Sequence, residues 1–420
     1  MDFSDLTDFL MLAPRSDAAL AAHLLALFRQ LSADGEGVTR PAYGDAESAC
    51  LAALADIARA EGLEAWSDAA GNLWMQPPGL GEAPAPACGS HMDSVPQGGN
   101  FDGAAGVVAG LLCARQALQE GRALRAVALR GEESPWFGAP HVGLRAAFGA
   151  LGAAELAIPR RDSGRTLAEH MREQGADPDA AGSGTPLPEL RRTTFFWELH
   201  IEQGPVLVDR GLPAAAVSAV RGHVRYPGAA CIGEAGHSGA VPRHLRRDPA
   251  LAVAELLHEL DTLWGRALQE GADLVLTAGQ LWIDPASATA TRIPDSVRFS
   301  LDLRSAQPAV LQELGALLPR RMAEIGARRG VRFDLGQAVR AAPVLLDETA
   351  RAAIEAALPE PVTLASGAGH DAAEFVRRGT PAAMVFIRNR NGSHNPAEAM
   401  EMEDFLAGLT AMQQAIRAAG

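Results

Sequence analysis

Four short segments concentrate the residue types that hold metal ions or move protons. In GSHMDSVPQGGNFDG at 89–103, an apolar run ends at His91, Asp93 follows two residues on, and a glycine-rich loop delivers Asp102. A neutral imidazole and a carboxylate on adjacent loops suit a divalent ion such as zinc, with Asp93 placed to orient the His91 ring. The same residues could also form a helix N-cap and a polar turn. In ALRGEESPWFG, Glu132 and Glu133 follow an apolar run and lie beside Pro135, Trp136 and Phe137. One glutamate can ligate a metal and the other act as general base, with the rings excluding water and raising the base's pKa. Paired glutamates are usually a solvated surface feature, but a position at a strand end favours a site. WELHIEQGP at 197–205 alternates His200 with apolar residues and ends in Glu202-Gln203-Gly204; a lone strand histidine is more often a core residue. NRNGSHNPAE at 389–398 sets His394 on a polar loop, where Asn395 and Pro396 could simply start a turn.

Together these segments put His91, Asp102, Glu133, His200 and His394 at the ends of expected strands. Sites in open parallel sheets form at the carboxyl ends of the strands. One shared carboxylate with two further ligands per ion would hold two metals about 3.5–4 Å apart.

The elements that must carry these residues alternate. Helical periodicity marks 17–33 and 46–61, and short apolar runs at 71–76, 86–90, 123–130 and 195–201 read as buried strands, with a helix at 103–119. This pattern predicts an α/β domain with a largely parallel central sheet. After Gly211 the texture changes to strand 224–235, helix 247–269, strands 273–283 and 296–304, helix 307–328 and strand 331–337, the β-α-β-β-α-β order of a small α+β sandwich. The first pattern resumes with helix 347–357, strand 361–365, helix 370–378, strand 382–388 and a helix near 401–419. The chain thus reads as one domain, 1–213 and 339–420, interrupted by a second, 214–338.

Composition excludes several classes. The 420 residues are 48% hydrophobic, enough for a large core, but only 5% aromatic, and the net charge is −14. Such a surface repels phosphate backbones, so no nucleic-acid partner is expected. Lysine is absent, which removes Schiff-base chemistry and the Gly-Lys-Ser/Thr phosphate loop. No GxSxG elbow occurs. The acidic start MDFSDLTDFLMLAPRSD is unlike a signal peptide, and no apolar run is long enough to span a membrane. Cys50, Cys88, Cys113 and Cys231 are scattered, as expected of buried thiols in a reducing cytoplasm.

In these motifs and their order, from about residue 20 to the end, the chain resembles the hydantoinase/carbamoylase amidases of the aminoacylase/carboxypeptidase-like metallohydrolase superfamily. The resemblance implies a di-metal hydrolase, with His91 and His200 on one ion, Glu133 and His394 on the other, and Asp102 bridging. Glu132 would be the general base. It implies a zinc pair, or manganese, cobalt or nickel, since all accept such ligands. It also implies that the inserted domain serves dimerisation and acts as a lid in a homodimer. GEAGHSGAVPRHLRRD at 233–248 matches the family segment whose histidine, here His237, stabilises the oxyanion, and in which one of Arg246 and Arg247 serves recognition or dimer geometry. SLDLRS places Arg304 where the family holds the substrate carboxylate, a task suited to a bidentate guanidinium. SGAGHD places Gly367, Gly369 and His370 near the ligand, and Gln203 is a further polar contact. The implied reaction is hydrolysis of an amide or carbamoyl C–N bond in a small carboxylate-bearing molecule, such as an N-carbamoyl-L-amino acid or an allantoate-like compound. N-acyl amino acids or dipeptides are an alternative on the same centre, and a non-catalytic metal-binding dimer is a remote one.

Two departures bear on substrate. Where the family has Asn before the turn leading to the LDxR strand, ATRIPDSVRFSLDLR offers Thr291 or Arg292. The usual EEGxRF stretch is EESPWFG. Both leave the metal ligands intact.

Overall fold

A computed structural model describes residues 16–419 apart from Ser287; the acidic N-terminal start, weighed above as a signal peptide, lies largely outside them. The chain packs as two compact units, one formed by residues up to Ser218 together with those from Leu346 onward, the other by Ala219–Leu345.

At the centre of the first unit's sheet lie four parallel strands in the order Ala382–Ile387, Thr193–Ile201, Ala85–His91 and Arg125–Leu129. Beyond Arg125–Leu129 the sheet continues antiparallel through Leu73–Gln76 and Glu64–Ser67, and Ala214–Val220 runs antiparallel to Ala382–Ile387 on the other side. The sheet is therefore mixed, with a block of parallel strands at its centre. Near-continuous apolar sequence explains that middle, since parallel strands are covered on both faces: Arg125–Leu129 and Ala382–Ile387 are buried throughout.

Alternation along Thr193–Ile201 shows how the faces divide. Trp197, Leu199 and Ile201 join the main core with helices Asp17–Ser32, Asp45–Ala60, Ala104–Glu120 and Met402–Ala419. Phe196, Glu198 and His200 face the other way, where Phe375 of the helix Asp371–Arg377 stacks on Phe196 at 4.0 Å. The helix Ala104–Glu120 begins with small residues because it lies directly on the sheet. A Cβ at Gly106 would come within 2.2 Å of the Leu199 carbonyl, so an alanine there would push helix and sheet apart.

The second unit is built on antiparallel strands Gly222–Ile232 and Ser296–Ser305. Val297, Phe299, Leu301 and Leu303 alternate inward, and with Val224, Tyr226, Ala229 and Cys231 they meet helices Pro249–Gln269 and Pro308–Arg329 in a separate core. Asp248 caps the first helix by accepting from Ala250 N and Leu251 N, with Pro249 at its first position. The expected strand 273–283 is broken into Val275–Thr277 and Leu281–Trp282, and 331–337 shortens to Arg332–Asp334 with a further strand at Val339–Ala341. Gly279 and Gly336 fall in the interruptions, and glycine weakens a strand by exposing backbone and packing nothing. All four cysteines are buried and free. Among the described residues no helix is long and apolar enough to cross a membrane.

Candidate metal centre

His91 is the last residue of its strand, and His200 is the next-to-last of the neighbouring parallel one. Glu132 and Glu133 follow Arg125–Leu129, and His394 follows Ala382–Ile387. Asp102 arrives just before the helix Ala104–Glu120 through a turn that only glycine fits. Gly103 has φ +66, and a Cβ there would lie 2.5 Å from the His91 ring. Four segments distant in sequence thereby meet at the carboxyl ends of the central strands.

Asp102 organises the cluster, because its two carboxylate oxygens face different partners. Oδ1 is 3.4 Å from His91 Nε2 and 3.2 Å from His200 Nε2. Oδ2 is 3.4 Å from His394 Nε2, which lies 3.2 Å from Glu133 Oε1. Ligands about 2.0–2.1 Å from a tetrahedral ion stand roughly 3.3 Å apart, so these spacings fit a cation on each side of Asp102. Two of the rings are also turned correctly. His91 Nδ1 is 3.1 Å from the Asp93 carbonyl and His200 Nδ1 is 2.9 Å from the Ile201 carbonyl. Each Nδ1–H is thus donated outward, leaving the Nε2 lone pair aimed at the cluster.

The electrostatics point the same way. Burial works against charge on Asp102, but hydrogen bonds from His200, His394 and His91 hold its carboxyl well below the usual range. Burial likewise disfavours a charged His200, yet Asp102 carries that ring to about 9. Hydrogen bonds to Asp102 and Glu133 carry His394 to about 10. A field that draws protons so strongly also draws a divalent cation, which displaces them.

Glu132 occupies a different environment. Burial pushes its carboxyl up to about 8; Glu133 and Asp371 add to the rise, while His141 and His91 oppose it. A carboxylate poised near neutral pH is what a general base needs. Asp93 fixes its place: Oδ1 accepts from Glu132 N at 2.9 Å and Oδ2 from Glu133 N at 3.0 Å, while Oδ1 also lies 3.4 Å from His91 Nδ1. One buried aspartate thus orients a ring and pins the glutamate pair. Trp136 donates Nε1–H to the Ser94 carbonyl and is buried, so it seals the segment.

The remaining sequence candidates fall into two groups. In the first unit, Gln203 donates Nε2–H to Asp102 Oδ2 at 2.7 Å, and its Oε1 is buried with no hydrogen-bond partner among the described residues. His370 is buried edge-on to the His200 ring at 4.5 Å, with Nε2 2.8 Å from Ser366 Oγ. Burial and the charge of His200 hold it well below the usual imidazole range, so this ring is a neutral support behind His200. Gly369 passes over the base, where an added Cβ would lie 3.8 Å from Glu132 Oε1. Gly367 lies between Ser366 and Ala368, in the turn where Ser366 Oγ accepts from Ala368 N. In the second unit, His237 pairs in register with Arg292, and Ser238 N donates to the Thr291 carbonyl. Arg246 binds the Val241 and Ser238 carbonyls, whereas Arg247 is an exposed partner of Glu234. Arg304 is held by Asp302, which also pairs with Arg225.

Sequence reasoning missed the residues behind the cluster. Glu398 accepts from Phe101 N and Asp102 N, and Ser393 Oγ sits 2.6 Å from Glu398 Oε2 and 2.5 Å from Asp102 Oδ2. Its only sequence mark is its place four residues after His394. Glu198 accepts from Ser90 Oγ and Ala372 N beneath His200. Asp371 and His141 form a buried pair beside Glu132.

The chain is similar to known hydrolases over most of its length. Residues 87–418 match peptidase family M20/M25/M40. The N-carbamoyl-L-amino acid amidohydrolase of Geobacillus stearothermophilus is 34% identical over 390 residues, covering 90% of this chain and 93% of that protein. The allantoate amidohydrolase of Bacillus subtilis is 33% identical over 398 residues, covering 91% and 92%. The crystal structure of a hydantoinase/carbamoylase family amidase from Burkholderia multivorans superposes with a TM-score of 0.81 at 28% identity, covering 95% and 97%.

Proposed function

The chain belongs to peptidase family M20/M25/M40 and, within it, to the hydantoinase/carbamoylase amidases, and from that premise we propose that it hydrolyses the carbamoyl or amide C–N bond of a small, carboxylate-bearing molecule such as an N-carbamoyl-L-amino acid or an allantoate-like compound. The observation that carries this reading is the division of Asp102, one oxygen toward His91 and His200 and the other toward His394 and Glu133, with Glu132 beside them.

In this reading His91, His200 and Asp102 hold one divalent ion, and Asp102, Glu133 and His394 hold a second. When bound, the pair makes water more acidic and polarises the scissile carbonyl. Glu132 accepts a proton from the attacking water as the C–O bond forms, and hands it to the departing nitrogen as the C–N bond breaks. A carbamoyl substrate then yields amine, ammonia and carbon dioxide. Zinc, manganese, cobalt and nickel all suit this donor set.

His237 is assigned to the oxyanion. Its Nδ1 accepts from Gly239 N at 3.1 Å, so the ring's hydrogen sits on Nε2, free to donate. Arg304 is assigned to the substrate carboxylate, with Asp302 fixing the plane of its guanidinium. Gln203, Gly367, Gly369 and His370 shape or support the substrate pocket, and Thr291 and Arg292 tune the contacts around the acyl group. The second unit is assigned to homodimerisation and to lid closure that delivers His237. Its sheet offers a short edge, Leu281–Trp282, with both side chains exposed. We place the enzyme in the cytoplasm, where its four free thiols would stay reduced.

The direct test is a metal-reconstituted screen of N-carbamoyl amino acids, allantoate, ureidoglycolate and N-acyl amino acids, read by release of ammonia and amine. Ammonia from a ureido substrate supports the reading. Turnover confined to N-acyl amino acids would replace it with an aminoacylase.

A further inference from the structure

His141 is anchored to the segment that carries the base. Its backbone N donates to the Glu132 carbonyl, Val142 N to that of Gly131 and Gly143 N to that of Arg130. Its backbone is left-handed, with φ 55 and ψ 33, a conformation uncommon outside glycine but one that histidine, like asparagine and aspartate, adopts more readily than other residues. This left-handed turn places the imidazole beside the base. Nδ1 is 3.1 Å from Asp371 Oδ1 and 3.5 Å from Glu132 Oε1. Asp371, 230 residues away in sequence, is buried, and its Oδ2 has no hydrogen-bond partner among the described residues. Gly369 closes the niche from above, where a Cβ would lie 3.5 Å from His141 Nε2 and 3.8 Å from Glu132 Oε1.

We propose that His141 is a positioning residue for Glu132: Asp371 accepts its Nδ1–H and fixes the ring, whose Nδ1 edge stands 3.5 Å from Glu132 Oε1, holds that oxygen and leaves the other oxygen of the carboxylate toward the reacting water. The ring is well suited to the task. It is buried, so its orientation is set by Asp371 and the turn rather than by solvent. Burial opposes its charge, but Glu132 and Asp371 carry it to about 9, so Nδ1 keeps its hydrogen at neutral pH. A free carboxylate in this position would rotate about its last torsion, which is broad for glutamate, and misplacement of a catalytic group by about 1 Å can cost on the order of 10²-fold in rate. Asp371 thereby acts at one remove, through the imidazole.

This inference rests on Glu132 being the base, and three variants separate the two claims. His141→Asn keeps a donor at the Nδ1 position and tolerates the left-handed backbone. His141→Phe keeps a ring and loses the donor. Glu132→Gln removes the base. Each is compared with the unaltered enzyme for kcat, KM, bound metal and melting temperature. The expected result is a kcat for His141→Phe lower by about 10-fold to 10²-fold, with KM and metal content unchanged. His141→Asn should stay within about 3-fold of the parent, since it restores the hydrogen-bonded geometry. In the Glu132→Gln background His141→Phe should have little further effect. A normal rate for Glu132→Gln alone overturns the base assignment and the inference with it. If Glu132→Gln is slow as expected, three results overturn the role of His141 only: an unchanged kcat for His141→Phe, equal loss in both His141 variants, or the same fractional loss with and without Glu132.

Discussion

The two halves of the candidate metal centre share one carboxylate but are built differently. His91 and His200 stand on adjacent parallel strands, with side chains 3% and 1% exposed and each Nδ1 tied to a backbone carbonyl. His394 stands on a loop, its side chain 49% exposed and its backbone left-handed at φ 61. The first half is fixed by the sheet itself. The second depends on Glu133, on Asp102 and on the network of Ser393 and Glu398 that ties the loop to the Asp102 turn. On the proposed two-ion reading, one ion would be held by the sheet and the other by a more exposed loop, so metal loss should proceed in two steps.

Removing the shared member should erase the difference. Asp102→Ala is expected to lose both ions and to bring turnover down to the uncatalysed level; metal analysis after desalting checks it, and two ions retained would break the comparison. His394→Ala should instead separate the halves, leaving one ion bound by His91, Asp102 and His200 and little activity. A variant that loses both ions equally would show that the halves are not independent.

Glu132→Gln should fall outside the comparison. Turnover drops by roughly 10²- to 10⁴-fold, while both ions stay, because Glu132 touches neither half as a ligand. The smallest effect is expected at Glu398→Gln, which keeps an acceptor for the Phe101 and Asp102 amides and alters only the side facing Ser393. Loss of an outer hydrogen-bond partner typically weakens metal binding by about 10- to 100-fold. The loss should fall on the ion at His394, measured by competition with a chromophoric chelator.

The same contrast explains what could be read from the chain alone. His91 was legible because an apolar run ends on it, and the end of a parallel strand is where a polar residue has a reason to be; His200, alternating with apolar residues, gained weight only beside the other segments. Glu132 and Glu133 followed by the same logic. The helix at 103–119 and the strand at 382–388 lie within one residue of Ala104–Glu120 and Ala382–Ile387. The sheet was less legible. Leu73–Gln76 reads as a buried strand, yet nothing in its composition says that it runs antiparallel to Arg125–Leu129. Ala214–Val220 bears no mark of the sheet it joins. His370, expected near the ligand from its glycine-rich loop, has its ring edge-on to His200, a packing that the loop sequence does not reveal. The supporting network was illegible, since Glu398 meets Asp102 across 296 residues and Asp371 meets His141 across 230. Such pairs leave no local periodicity; only the fold brings them together.

The central claim is that hydrolysis requires two ions sharing Asp102. The most direct measurement strips the protein with a chelator and returns zinc or manganese stepwise, following bound metal and ammonia release from a ureido substrate on the same samples. The account predicts no turnover in the stripped protein, a first ion bound tightly with little activity, and activity that rises as the second binds, toward two ions per chain. Full turnover in stripped protein, or maximal turnover at one ion with no second binding event, would contradict it.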